Sequence, residues 1–152
     1  MNVEMISHNG GLESLPENES EEILSAIQDC DTKLQRGCGA DLRAQIVDNL
    51  KQTGWPDKVR IAIEHKITVA SMKNHVGLCI QTSGNMSRMY ADLIKLQQLY
   101  LDDVVQVGGF ILPTGLAAKQ MGDNLANSDR LVNELQLFRK VIHMPLVIFS
   151  FE

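Results

Sequence analysis

Two stretches hold residue types whose spacing can do chemistry. In "PDKVRIAIEHK", Asp57 is followed by Glu64 and Lys66, and in "LCIQT" Cys79 and Gln81 stand two apart. Residues two apart on a β-strand project from the same face. Carboxylates gathered on one face hold Mg²⁺ through oxygen, and the ion then activates water and screens a phosphate. A lysine or glutamine on that face orients the water or the metal. Glu64 is therefore a candidate metal ligand and catalytic carboxylate, with Lys66 beside it. The plain alternative is a solvated strand edge, because short patterns of this kind recur by chance.

The other reactive types are less promising. Cys79 as a nucleophile would need a base such as His75, but four residues along one strand put the two roughly 13 Å apart. A buried core thiol is the simpler reading. His8, His65, His75 and His143 show no metal-ligand spacing. Arg88 and Lys95 suit phosphate contacts, with a solvated helix face as the ordinary alternative.

These residues need elements to position them. Residues 1–18 read as a loose acidic arm, and Ser20 is a reasonable cap for a helix through about residue 34. A second helix runs from about Asp41 to Thr53, stopped by Gly54. After "GWPDK" the period alternates, Val59, Ile61 and Ile63 facing one way. "KITVASM" and "VGLCIQT" follow as β-rich runs joined by a "KNH" turn. Asn85 or Ser87 then caps a helix to about Tyr100, with Met89, Leu93 and Leu96 on its apolar stripe and Arg88, Asp92 and Lys95 on the opposite face. "VVQVGGFILP" reads as a central strand, helices follow over about 115–121 and 128–140, and "PLVIFSF" is a strand apolar enough to be buried on both faces. The order predicts an α/β fold with a mixed sheet flanked by helices, in which the hairpin strands and the two later strands share one sheet.

Charge is unevenly spread. Eight of the 19 acids fall in residues 1–32, which contain no Lys or Arg. The other 120 residues carry 11 acids against all 14 basic residues. An acidic arm ahead of a mildly basic body predicts that the arm competes with nucleic acid for the basic face. The three cysteines form no CxxC pair and read as reduced thiols, and nothing in the opening residues resembles a secretion signal. No apolar run approaches the ~20 residues a bilayer span needs. The chain is expected to be cytoplasmic, with one domain over 19–152 behind the arm.

The stretch "LCIQTSGNMSRMYADLIKLQQLY", with the later "ILPT" and the closing "MPLVIFSFE", resembles the BglII/BstYI family of type II restriction endonucleases. The early "SHNGG" resembles that family's N-terminal signature. The resemblance implies a PD-(D/E)xK nuclease fold with an αβββαβ core, Mg²⁺-dependent cleavage of duplex DNA, and a homodimer. The chain looks shorter than usual for the family, the missing length falling between the second helix and the hairpin. Carried over residue by residue, Gln81 holds the family's Gln position, Cys79 stands at the Glu position, and the Asp position falls near Ala70. Two of three expected groups at the site are thus replaced. The resemblance implies Gln81 as the residue orienting water or metal, Glu64 as a substitute carboxylate, and Lys66, Lys73, Asn85 and Arg88 as phosphate contacts. Catalysis is expected to be reduced or lost. The rival reading is a non-catalytic protein that kept the fold for dimerisation or partner binding.

Overall fold

The near-continuous apolar runs at the centre and end of the sequence become three strands with both faces covered, as such runs require. A computed structural model describes residues 1–62 and 64–152. Its elements in chain order are β1 (Val3–His8), α1 (Gly11–Ser14), α2 (Glu17–Gln28), α3 (Gly39–Gln52), β2 (Val59–Arg60) and β3 (Thr68–Val69). Then come β4 (Ser71–Lys73), β5 (Val76–Ile80), α4 (Met86–Leu101), β6 (Val107–Pro113), α5 (Gly115–Met121), α6 (Ser128–Leu137) and β7 (Leu146–Phe151).

Five strands make one sheet in the order β1-β7-β6-β5-β4. Strands β5, β6 and β7 run parallel, while β4 joins β5 and β1 joins β7 antiparallel. The expected hairpin and its two later neighbours therefore do share a sheet. Every residue of β5, β6 and β7 is buried. One face packs Leu78, Ile80, Ile111 and Phe149 against Ile23 and Ile27 of α2 and Leu42, Ile46 and Leu50 of α3. The other packs Cys79, Phe110, Leu112 and Ile148 against Met89, Leu93 and Leu96 of α4 and Leu131 and Leu135 of α6. Each fully buried aliphatic side chain contributes about 2 kcal/mol, so the α4 stripe alone fixes that helix firmly over β5.

Three expectations are corrected. The segment read as a loose arm is ordered structure: β1 pairs with β7 over six residue pairs, and Asn2 and Glu152 exchange backbone hydrogen bonds of 3.0 Å. The alternating Val3 and Met5 pack against the core, and the acid count had hidden that alternation. The "SHNGG" turn is what folds this segment back. The buried His8 ring bonds the Ile142 carbonyl at 2.7 Å, and Gly11 lies so close to the backbone of Leu146 that a β-carbon would sit 2.1 Å from its carbonyl oxygen. Helix α2 accordingly starts at Glu17, with Pro16 rather than Ser20 at its cap.

The second correction concerns the run after Trp55. Among the described residues of that run only Val59–Arg60 is strand, paired with Thr68–Val69 in a separate two-stranded sheet. The expectation that Ile63 shares a face with Val59 and Ile61 lies outside the described residues. Third, "KITVASM" is not one strand. It bends at Ala70, so that β3 joins the small sheet and β4 the large one.

Candidate functional site

Strand β5 ends at Ile80, opposite Ile111 and two residues short of the end of its parallel neighbour β6, and a cavity of about 330 Å³ opens beside the C-terminal end of β5. Around that strand end, α3 supplies Arg43, the entry to β2 supplies Lys58, β3 and the bend after it supply Thr68 and Ala70, and α4 supplies Arg88 and Asp92. Gln81 joins the lining, one residue beyond the strand.

Local interactions hold that end of the chain still. The Gln81 N–H continues the ladder by donating to the Ile111 carbonyl at 3.0 Å. Arg43 Nη1 donates to the Ile80 carbonyl at 2.6 Å, and the buried Thr82 hydroxyl donates to the Gly39 carbonyl at 2.6 Å. Asn85 caps α4, its side-chain oxygen accepting from the Arg88 N–H at 3.1 Å. Gly84 is buried beneath the Gln81 amide, where a β-carbon would fall 1.8 Å from Oε1. Any larger residue at 84 would displace that amide.

The Gln81 amide turns toward α4. There Nε2 donates to one carboxylate oxygen of Asp92, while Lys95 Nζ donates to the other at 2.7 Å. Among the described residues lining the cavity, Asp92 is the single carboxylate. Sequence reasoning missed it by reading the Arg88, Asp92 and Lys95 face of α4 as solvated. Its spacing held the clue: Arg88 and Asp92 are i,i+4 neighbours, so a wall that uses one also receives the other.

The residues singled out from sequence are brought together only in part. Cys79 shares the α4 side with Gln81, as spacing by two requires, but it is 1% exposed and packed in the core. Burial, reinforced by the nearby Asp92 charge, pushes its thiol far above the ordinary range, so it does not ionise near neutrality. His75 sits beyond the opposite end of β5, its Nδ1 against the Val104 carbonyl at 3.2 Å. A thiol enzyme has no footing here.

Glu64 and Lys66 are exposed on the connection between β2 and β3, outside the cavity lining. They do not stand on one strand face as expected, because the strand ends at Arg60. Lys73 points elsewhere altogether. Its ammonium donates to both oxygens of Glu22, at 2.8 and 2.7 Å, and to the Thr53 carbonyl at 2.8 Å. Asn85 and Arg88 do stand together at the start of α4. Among the described residues, no group of three or more His, Cys, Asp or Glu side chains converges as a metal site would need.

Comparisons with known proteins bear on the family and the fold. The family model described as "Restriction endonuclease BglII/BglIII" matches residues 3–151. A crystal structure of the restriction endonuclease BglII complexed with a DNA 16-mer superposes with a TM-score of 0.89 at 11% identity, covering 100% of this chain and 78% of that one. A crystal structure of free BglII superposes with a TM-score of 0.74 at 12% identity, covering 100% of this chain and 80% of that one. No curated protein matches the sequence. The chain belongs to the BglII/BglIII family of restriction endonucleases.

Proposed function

We propose that this member of a restriction-endonuclease family engages duplex DNA as a homodimer, and that Mg²⁺-dependent phosphodiester hydrolysis, the family reaction, is lost or severely weakened. One observation carries the reading. At the end of β5, where such a site needs converging carboxylates, the cavity has Gln81, Ala70 and a single acid whose two oxygens are already taken. Mg²⁺ is a hard cation that binds through oxygen and keeps octahedral geometry, and one carboxylate shared with an amide and an ammonium is a poor anchor for it. The donor set does not fit the metal, so we assign no hydrolytic step to it.

DNA engagement draws support from the cationic wall of the cavity and from the cap of α4. In this reading Asn85 and Arg88 contact the phosphate backbone, and Lys66 reaches it from the exposed β2–β3 connection. Lys73 is left out, since Glu22 and Thr53 occupy it. Glu64 is too far along that connection to line the cavity, and Cys79 is a packing residue. The homodimer draws support from apolar side chains exposed near α4 and the end of α6. Ile94 and Val141 are each 63% exposed and Leu137 is 80% exposed, beside the edge-to-face pair of Tyr90 and Phe138.

The test is a paired assay on mixed-sequence duplex DNA. Binding should weaken steeply as salt rises, in the manner of phosphate contacts that release counterions. Incubation with Mg²⁺ or Mn²⁺ should leave the duplex intact over times in which an active restriction enzyme digests it. Rapid cutting would overturn the loss of catalysis. Absence of any salt-dependent binding would overturn the DNA reading and favour a partner-binding protein.

A further inference from the structure

We infer that the cavity at the end of β5 takes a nucleic-acid phosphate directly on protein cations, with no divalent metal between them. This rests on the DNA-binding reading above and says how that site holds its ligand. Three cationic side chains enter from three separate elements: Arg43 from α3, Lys58 from the entry to β2, and Arg88 from α4. Asp92 is the one carboxylate facing them among the described lining residues, and Lys95 already balances it at 2.7 Å. The wall therefore carries an excess of positive charge without the metal that carboxylates would otherwise collect.

Availability separates these charges from the five paired cations of the molecule, and their convergence on one cavity separates them from Lys33, Arg60, Lys66, Lys119, Arg139 and Lys140, which also form no ion pair among the described residues. Arg36, Lys51, Lys73, Lys95 and Arg130 are each held by an acid. Lys58 and Arg88 form no ion pair among the described residues, and both are exposed. Arg43 spends one nitrogen on the Ile80 carbonyl, which leaves other donors of its five-donor fork for an anion.

Lys58 adds an observation of a different kind. Its φ is +53°, in the left-handed region that a side-chain-bearing residue seldom occupies, and its N–H donates to the Ala70 carbonyl at 2.9 Å. The same Ala70 marks the position where an acid is expected. The left-handed backbone and its bond to Ala70 fix where the Lys58 side chain leaves the chain, at the cavity wall. In a metal-dependent site the divalent ion neutralises the phosphate; here the lysine and the arginines stand where that charge has to be met. Such a wall would compete with a metal for the same phosphate oxygens.

The experiment compares the native chain with a Lys58→Gln/Arg88→Gln double variant. Duplex binding is measured over a salt series, once in excess chelator and once in millimolar Mg²⁺, and inorganic phosphate is titrated against the thermal midpoint of both proteins. Native affinity should agree within about two-fold between chelator and Mg²⁺ at matched ionic strength. The double variant should fold with the same midpoint, bind DNA about ten-fold more weakly at low salt, and show a salt slope smaller by about two. Affinity that requires Mg²⁺, or a double variant with unchanged affinity and slope, overturns the inference while DNA binding stands. If no DNA binds under any condition, the DNA-binding reading fails by itself. A phosphate-dependent rise in midpoint that the double variant loses then supports an anion site for free phosphate, and no such rise overturns the site too.

Discussion

Two carboxylate–lysine pairs sit on opposite sides of the β4–β5 hairpin, and their surroundings give them different meanings. On the α2 side, Glu22 and Lys73 are 2.7 Å apart and mostly buried, with side-chain exposures of 16% and 20%. Every donor of the Lys73 ammonium is satisfied, and Trp55 Nε1 completes the cluster by donating to Glu22 at 2.8 Å. On the α4 side, Asp92 and Lys95 are also 2.7 Å apart and similarly shielded, with exposures of 18% and 29%. That pair, however, borders a cavity whose remaining charges are cations with no acid to meet them. A charged pair closed on all sides holds helix to strand. The same chemistry beside unmatched charge leaves a cationic wall open.

The strongest way to break the comparison is to add acids to the second region. Cys79→Glu with Ala70→Asp places carboxylates at two buried positions, so without metal the variant should lose about 4 kcal/mol of stability. Chemical denaturation measures the loss, and Mg²⁺ or Mn²⁺ should recover part of it in the variant and none in the native chain. Recovery in the native chain would show that a metal site exists there already. Next in size is Glu22→Ala, which leaves the Lys73 ammonium and the Trp55 N–H without their shared acceptor. It should cost about 2 kcal/mol in a urea titration. Affinity for DNA should stay within two-fold, because this pair serves only the fold.

Asp92→Asn should behave in the opposite sense. Stability should change by less than about 1 kcal/mol, whereas DNA affinity at low salt should rise about three-fold as the cavity loses its one negative charge. Fluorescence anisotropy on labelled duplex reads that gain, and a fall would mean that Asp92 helps to hold the ligand. The smallest effect is an acid one. Burial pushes the Glu22 carboxyl up, but the hydrogen bonds from Lys73 and Trp55 and the Lys73 charge together outweigh it, so it lies below its ordinary 4.5. A carboxyl lowered in the fold stabilises above its unfolded value, and that contribution disappears as pH falls through the folded value. The native thermal midpoint should therefore decline more steeply below about pH 4.5 than that of Glu22→Gln.

Much of this was legible from residue patterns. The buried strands β5, β6 and β7 announced themselves as apolar runs, and α5 fell on 115–121 because Thr114 caps it and Gly122 ends it. Asn85 was one of two caps weighed for α4, and its side chain does accept the Arg88 N–H. What escaped was decided across the chain instead of along it. Strand β1 was masked by the acids around it, although Glu19 and Glu22 are bonded to Asn74 and Lys73 on the hairpin. Lys58 and Arg43 carried no local pattern at all, since only the bend at Ala70 and the Ile80 carbonyl bring them to Gln81. Asp92 had a pattern, but helical spacing shows which residues share a face and not what that face borders.

The two ends of the large sheet bear on how copies of this chain can meet. At one margin β4 offers only three residues, with Lys73 closing the run and a bend at Ala70 before it. At the other, β1 turns the exposed Glu4 outward along its length. Short margins and margin charges are devices that discourage a second chain from adding its own strand. Association through helices closes after a single partner when it is two-fold symmetric, whereas strand addition can propagate without limit. The sheet is built to stop, which discourages open-ended growth by strand addition.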